Sequence, residues 1–107
     1  MKQWEIFLFP HPTPNDPHPV VIISNSAICT NPSINFVNGF SCQSVRPLTR
    51  PRKANEVYLD STDGLDAKTL VKCDFVLVLQ KSQALQKRGE VSPQRIAEIR
   101  KKLQEYF

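Results

Sequence analysis

The stretch Leu70-Val-Lys-Cys-Asp-Phe-Val-Leu-Val-Leu79 decides the fold class of this 107-residue chain. Its apolar side chains at positions 71, 73, 75, 77 and 79 recur at every second residue, so it is predicted to be the strongest strand of the protein. Lys72 and Asp74 then share the opposite face, about 6.5–7 Å apart at their Cα atoms. A carboxylate on an apolar strand needs a partner, and two interpretations stay open: a surface ion pair, or a carboxylate base beside a cation that stabilises charge developing on phosphorus.

Upstream of this stretch, apolar runs predict four more strands, at Gln3–Phe9, Val20–Ser24, Asn35–Ser44 and Asn55–Leu59. Gly39 predicts a bulge or a bend within the third of them. The segment Pro10–Pro19 holds five prolines in ten residues, which favours a stiffened loop over a helix or a central strand.

Downstream, Lys81–Arg88 is predicted to form a short helical turn that ends at Gly89. Ser92 and Pro93 are a favourable N-cap and first residue of a helix, and apolar residues at positions 96, 99 and 103 form one stripe along it. The chain is therefore predicted to be a single mainly β domain over residues 1–107 that ends in a helix. Several short strands with one helix favour a small barrel or a half-open sheet over a parallel α/β fold.

The positive charge of the chain is concentrated in its second part. The formal net charge is +4, and residues 46–107 carry thirteen basic against eight acidic side chains. Four basic residues form what we call the basic cluster: Arg46, Arg50, Arg52 and Lys53. The basic cluster would suit an anionic partner, or it could be a solvated loop.

Several classes of protein are disfavoured. Cys29, Cys42 and Cys73 match neither a disulfide framework nor a zinc pattern, and Cys42 and Cys73, which lie in predicted strands, are interpreted as small core residues. The sequence has no phosphate-binding glycine loop, metal-ligand spacing or nucleophile elbow, so no metal or other cofactor is expected. The hydrophobic start, Met1–Phe9, is too short to span a membrane, and a cytoplasmic protein without a membrane partner is expected.

Two histidines, His11 and His18, stand in the proline-rich segment. Histidine is the side chain whose charge changes near neutral pH, so either could act as a general acid or base. Isolated histidines in a loop can equally be incidental, and both interpretations stay open.

Several motifs, taken in order along the chain, resemble the PemK/MazF (Kid-like) toxin family. The opening Trp4–Phe9, a loop and then His18-Pro-Val-Val-Ile-Ile-Ser-Asn25 resemble the family's first strand and its Arg-Pro-Val-hydrophobic-Val-Ser-Asn segment. Leu70-Val-Lys-Cys-Asp74 resembles the family's Val-Val-Arg-Cys-Asp strand. Weaker matches follow in the same order at Phe40–Ser44, Glu56–Leu59, Gly64–Leu65 and Gly89–Ser92.

The resemblance implies an SH3-like barrel of the CcdB/PemK/MazF type, acting as a homodimeric, growth-inhibiting toxin with an antitoxin protein as its partner. It also implies metal-independent cleavage of single-stranded RNA, in which the 2′-hydroxyl attacks the adjacent phosphorus and leaves a 2′,3′-cyclic phosphate and a 5′-hydroxyl. By position, Asp74 would be the base and Lys72 would replace a catalytic arginine. His18, also at an arginine position, could act as the acid. Trp4 and residues 27–36 are candidates for the dimer interface.

The resemblance also implies RNA contacts. Gln43 and Ser44 stand where the family has a Thr-Ser pair, and the basic cluster would grip the RNA backbone. Lysine in place of arginine keeps the charge but loses the bidentate fork, so weakened activity is expected. The alternative is a non-catalytic module on the same barrel that binds nucleic acid or a protein, as CcdB toxins bind gyrase.

Overall fold

The computed structural model describes residues 1–45 and 51–107. Within these residues seven strands and two α-helices follow one another as β1 (Glu5–Thr13), β2 (Asp16–Ile22), α1 (Ser26–Thr30), β3 (Phe36–Ser44), β4 (Glu56–Leu59), β5 (Thr69–Lys72), β6 (Leu77–Gln80), β7 (Gln86–Glu90) and α2 (Pro93–Tyr106). Short 3₁₀ turns at Ser61–Asp63 and Lys81–Gln83 follow β4 and β6. The strand order is β4-β5-β3-β2-β1-β7, with β6 paired to β3, and the pairings are antiparallel.

The sheet curls into a half-barrel, which confirms the predicted mainly β class with a C-terminal helix. One face packs against α2, where Phe40 of the sheet and Ile99 of the helix belong to one buried cluster. The other face packs against α1, where Phe9 and Cys29 belong to a second cluster. Val20–Ile22 is fully buried, as the continuous apolar run predicted, because the sheet is covered on both sides at this point.

Helix α2 begins where the sequence predicted, with Ser92 at the N-cap and Pro93 in the first turn. It buries Ile99 and leaves most of its length solvated. None of the helices in the described ranges is long and apolar enough to cross a membrane. Trp4 lies in the core with the Arg100 guanidinium 5.6 Å from its ring centroid, so its predicted place in a dimer interface is wrong.

The proline-rich segment is a β-hairpin, and its prediction as a loop is wrong. β1 runs on to Thr13 and β2 starts at Asp16, with a register shift between Phe9 and Thr13. β3 pairs with β2 only at Val20–Ile22, so the proline-containing part of β2 has β1 as its paired neighbour. Proline lacks an N–H group, and a strand tolerates it where one edge needs no hydrogen bond.

The stretch 70–79 is two strands, and its prediction as one continuous strand is wrong. β5 ends at Lys72, and β6 starts at Leu77. Both pair with β3, but the register of β6 is displaced by three residues from that of β5, so the intervening residues leave the sheet. Asp74 therefore lies in a turn rather than on the strand face of Lys72, and Phe75 is 68% exposed rather than buried.

The predicted helical turn at Lys81–Arg88 is wrong in its second half. Lys81–Gln83 is a 3₁₀ turn, but Gln86–Glu90 forms β7, which pairs with β1 along the edge of the sheet. Gly89 lies inside this strand, and an added Cβ there would stand 2.1 Å from the backbone oxygen of Asp63. Position 89 therefore requires glycine because the backbone of Asp63 lies so close, and not because a helix ends there.

Candidate active site

A groove of about 230 Å³ opens on the face of the sheet formed by β2, β3 and β5. Its lining residues are His11, Pro12, His18, Ser41, Cys42, Gln43 and Lys72. Three of the residues predicted to act in catalysis or RNA binding are thus brought together: His18, Gln43 and Lys72. We call this feature the histidine groove.

The pairing of the strands explains why these side chains meet. The paired part of β2 and β3 ends at Val20 and Ser41, and His18 and Gln43, each two residues further along its strand, both line the groove. Gln43 pairs with Leu70, and the same register places Lys72 beside Ser41. Since paired residues of antiparallel strands project to one face, these groups from three neighbouring strands point to the same side of the sheet.

The imidazole of His18 is held by two backbone carbonyls. Its Nδ1 lies 3.0 Å from the oxygen of His11 and 2.9 Å from the oxygen of Asp16. A carbonyl oxygen only accepts hydrogen bonds, so Nδ1 carries the hydrogen and donates it. Nε2 is then left to accept a proton when the ring is neutral or to donate one when it is charged.

The charged group of the histidine groove is the ammonium of Lys72, at the exposed end of β5. None of the residues that line the groove in the described part of the chain is acidic. The groove therefore favours an anionic ligand such as a phosphate. An ammonium can donate to several oxygens, but it lacks the flat bidentate fork of a guanidinium.

The cysteine thiols near the groove are held in their neutral form. Burial and the neighbouring Cys73 raise the pKa of the Cys42 thiol. Burial raises the pKa of Cys73 to about 12. A neutral thiol is a weak nucleophile. Cys42 and Cys73 are also completely buried, which confirms their interpretation as core residues.

Asp74 lies outside the histidine groove as the structure describes it. It is exposed in the turn after β5, where its Oδ1 accepts a hydrogen bond from the side-chain amide of Asn55 at 2.9 Å. The strand register therefore does not bring Asp74, the predicted base, into the groove with His18.

The predicted Gln43–Ser44 pair is split between two faces of β3. Ser44 lines a second cavity of about 390 Å³, which we call the barrel mouth, together with Thr69 and the edge strand residues Lys87 and Arg88. Adjacent residues of a strand point to opposite faces, so Gln43 and Ser44 cannot act on the same side.

The basic cluster is described only in part. Arg46 and Arg50 lie outside the described residues. Arg52 and Lys53 are exposed in the segment that precedes β4, and neither lines the histidine groove or the barrel mouth as described.

Sequence reasoning missed Ser41 and left His11 undecided. The position of Ser41, two residues before Gln43 on the same strand, was the available signal, because residues two apart share a face. The signal for His11 was that it stands seven residues before His18. This separation is compatible with the two histidines lying on opposite strands of one hairpin. In the described ranges no group of three or more His, Cys, Asp or Glu side chains could hold a metal ion.

Solved structures resemble this fold over nearly its whole length. An endoribonuclease from a mycobacterial species, in complex with its cognate antitoxin, has a TM-score of 0.81 at 20% identity, over 99% of this chain and 93% of that one. The Mycobacterium tuberculosis toxin MazF-mt6 has a TM-score of 0.78 at 17% identity, over 96% and 95%. A MazE–MazF structure from Deinococcus radiodurans has a TM-score of 0.75 at 17% identity, over 98% and 92%.

No curated protein sequence matches the chain. A family-level comparison does match it, over residues 2–107, to the PemK-like, MazF-like toxins of type II toxin–antitoxin systems. That match covers every element described above, from β1 to α2. The chain belongs to this family of PemK-like and MazF-like toxins.

Proposed function

We propose that this toxin is an endoribonuclease that cuts single-stranded RNA without a metal, at the histidine groove. The observation that carries the proposal is the meeting of His18, Gln43 and Lys72 on one face of three strands. A cation, a proton-transfer group and neutral hydrogen-bonding groups in one groove suit a phosphodiester. Membership of this toxin family, and the similar folds of endoribonucleases from mycobacterial species, support the same reaction class.

The reaction is an internal transfer. The 2′-oxygen bonds to phosphorus and loses its proton to a base, while the bond from phosphorus to the 5′-oxygen breaks and that oxygen receives a proton. The products are a 2′,3′-cyclic phosphate and a 5′-hydroxyl. Lys72 stabilises the charge on the phosphoryl oxygens, and His18 gives the proton from Nε2. Asp74, the base expected from the resemblance, lies outside the groove, with Oδ1 on the side-chain amide of Asn55.

The RNA contacts are proposed to lie on both faces of the sheet, at the histidine groove and at the barrel mouth. Gln43 contacts the nucleotide at the reacting phosphate, because it lies beside His18. Ser44, at the barrel mouth, contacts a neighbouring nucleotide. Arg46, Arg50, Arg52 and Lys53 contribute charge to the backbone further along the strand.

A second copy of the chain is the proposed partner of the β6 edge. Phe36 and Val78 project from the same face of neighbouring strands and are 54% and 70% exposed. β6 has β3 as its neighbour in the described sheet and presents its other edge. An apolar face beside an open edge suits a two-fold interface, since the same patch can meet itself.

The other proposed partner is an antitoxin protein. Structures of similar fold were solved with an antitoxin or as a MazE–MazF pair. The net charge of +4 would favour an acidic antitoxin segment. We place the activity in the cytoplasm, where such a toxin would meet messenger RNA.

A long RNA of mixed sequence, incubated with the purified chain in EDTA, tests the proposed activity. We expect fragments with 2′,3′-cyclic phosphate and 5′-hydroxyl ends. His18→Asn and Lys72→Gln should each lower the cleavage rate by about 100-fold or more, because each removes a group that acts in the transition state. Lys101→Gln, which removes the same charge from the exposed side of α2, should stay within about twofold of the wild type.

Two results would contradict the proposal. Fragments with 3′-hydroxyl ends would reject the internal transfer. Salt-dependent RNA binding without cleavage at any enzyme concentration would favour the non-catalytic binding module instead.

A further inference from the structure

We propose that His11 is the general base of the histidine groove, so that two imidazoles and one ammonium form the reacting set. This inference rests on the proposed ribonuclease function and deepens it. It gives the deprotonation of the 2′-hydroxyl to a residue for which neither the family resemblance nor the comparisons provide a role.

His11 and His18 are neighbours across the hairpin. His11 lies on β1 within the register shift between Phe9 and Thr13, and its carbonyl oxygen accepts the hydrogen bond from His18 Nδ1 at 3.0 Å. Both residues are half-buried and line the same groove with Lys72. The hairpin thus contributes two imidazoles to one groove of about 230 Å³.

The chemistry of the lining residues leaves His11 as the remaining base. The ammonium of Lys72 donates hydrogen bonds and has no acceptor. Ser41 and Gln43 do not exchange protons near neutral pH, and burial keeps the Cys42 thiol protonated. Once His18 is the acid, the imidazole of His11 is, among the lining groups that the structure describes, the one that can accept a proton at neutral pH.

The protons and bonds balance across the two rings. Neutral His11 takes the proton of the 2′-hydroxyl as the bond between the 2′-oxygen and phosphorus forms. Charged His18 gives a proton from Nε2 to the 5′-oxygen as its bond to phosphorus breaks. The products leave with no net change of protons, and the two rings return to their starting forms by exchange with water.

Within the described residues, the charged and titratable groups that line the groove around the pair or contact it come from three strands. Lys72 comes from β5 and the neutral Cys42 from β3. Asp16 of β2 is exposed and touches His18 through its backbone oxygen. The proposed base, His11, must be neutral and the proposed acid, His18, must be charged. The dependence of kcat on pH should therefore be bell-shaped, with His11 setting the acidic limb.

The experiment measures kcat against pH for wild type, His11→Asn and His18→Asn, on the RNA fragment that the wild type cuts best. We expect His11→Asn to lose about 100-fold or more in kcat at neutral pH and to lose the acidic limb of the profile. His18→Asn should lose the alkaline limb. Lys101→Gln, remote from the groove, should keep both limbs. For His11→Ala, added imidazole should restore part of kcat in proportion to its neutral form.

Circular dichroism and RNA affinity check that each variant is folded. The restoration of kcat by added imidazole is a readout that a purely structural role of His11 would not change. Wild-type kcat and an intact acidic limb in His11→Asn, together with a loss in His18→Asn, would overturn this inference and leave the proposed function standing. A loss of the acidic limb in Asp74→Asn with none in His11→Asn would also overturn it. A wild-type chain that cuts no RNA would overturn both proposals.

Discussion

Glu5 joins the first strand to the last strand of the half-barrel. Its carboxylate is largely buried, and Lys87 of β7 lies 2.6 Å from it. Burial alone would raise the pKa of Glu5, but hydrogen bonds from Lys87 and from the backbone N–H of Lys2, with the charge of Lys87, outweigh burial and lower it. The ionised form is therefore favoured by the fold.

This pKa predicts how stability depends on pH. A carboxyl whose pKa is lower in the folded chain stabilises the fold above its unfolded pKa, and the contribution is lost as the pH falls through the folded value. Glu5→Gln should therefore flatten the decline of unfolding free energy between neutral pH and the acidic range. Urea unfolding at a series of pH values measures this. Glu90→Gln, whose exposed carboxylate lies 4.0 Å from Lys87, should leave the decline nearly unchanged. An identical decline in Glu5→Gln and the wild type would contradict the prediction.

The candidate site was partly predictable residue by residue. His18, Gln43 and Lys72 each lie at the position of a family motif, and the structure brings them together in the groove. Ser44 could have been separated from Gln43, because period two already assigns adjacent strand residues to opposite faces. Asp74 could not be placed, since its position depends on where β5 ends.

At the scale of the elements, Asp63 ties the 3₁₀ turn after β4 to the start of α2. Its Oδ2 accepts the backbone N–H of Asp60 at 2.9 Å, and its Oδ1 accepts that of Ser92 at 2.8 Å. The side chain is almost fully buried, and both of these hydrogen bonds are partly buried. Ser92 makes no side-chain cap of its own helix, and the Asp63 carboxylate holds the N-cap residue in its place.

Asp63→Ala should therefore lower the unfolding free energy by about 1–3 kcal/mol, because it leaves two partly buried backbone donors without their acceptor. Asp66→Ala, at an exposed position three residues later, should change it by less than about 0.5 kcal/mol. Chemical unfolding followed by circular dichroism measures both. Equal stability of the two variants would mean that water replaces the carboxylate at both N–H groups.

The elements that sequence reasoning got wrong share one cause. Local alternation identified residues 70–79 as extended, but the break comes from the register in which β5 and β6 pair with β3, and that register is not a property of the stretch. The prolines of 10–19 predicted a loop. In the structure they lie in a part of the hairpin where β2 pairs with β1 but not with β3, so one strand edge needs no N–H donor. Helix α2 was predicted well because its cap and its stripe are local features.

At the scale of the whole molecule, the fold class followed from the number and shortness of the strands and from the single long helix. The curvature and strand order of the half-barrel did not, because they depend on pairings between distant parts of the chain. The exposure of Phe36 was also hidden in the sequence, since Phe36 alternates with Phe40 and Cys42, which are buried. Val78 lies opposite the predicted apolar face of 70–79, and the sequence did not show that it would lie next to Phe36.

That exposed face leads to the prediction for the assembly. If Phe36 and Val78 meet their copies across a two-fold axis, Val78→Lys places two like charges in one apolar interface and should raise the dimer dissociation constant by about tenfold or more. Folding should be unaffected, because Val78 is 70% exposed in the single chain. Tyr106→Lys, an exposed apolar position at the end of α2, is the matched control and should leave the dimer intact. Sedimentation velocity over a range of concentrations measures the three proteins. A wild-type chain that stays monomeric, or a Val78→Lys variant as dimeric as the control, would remove β6 from the proposed interface.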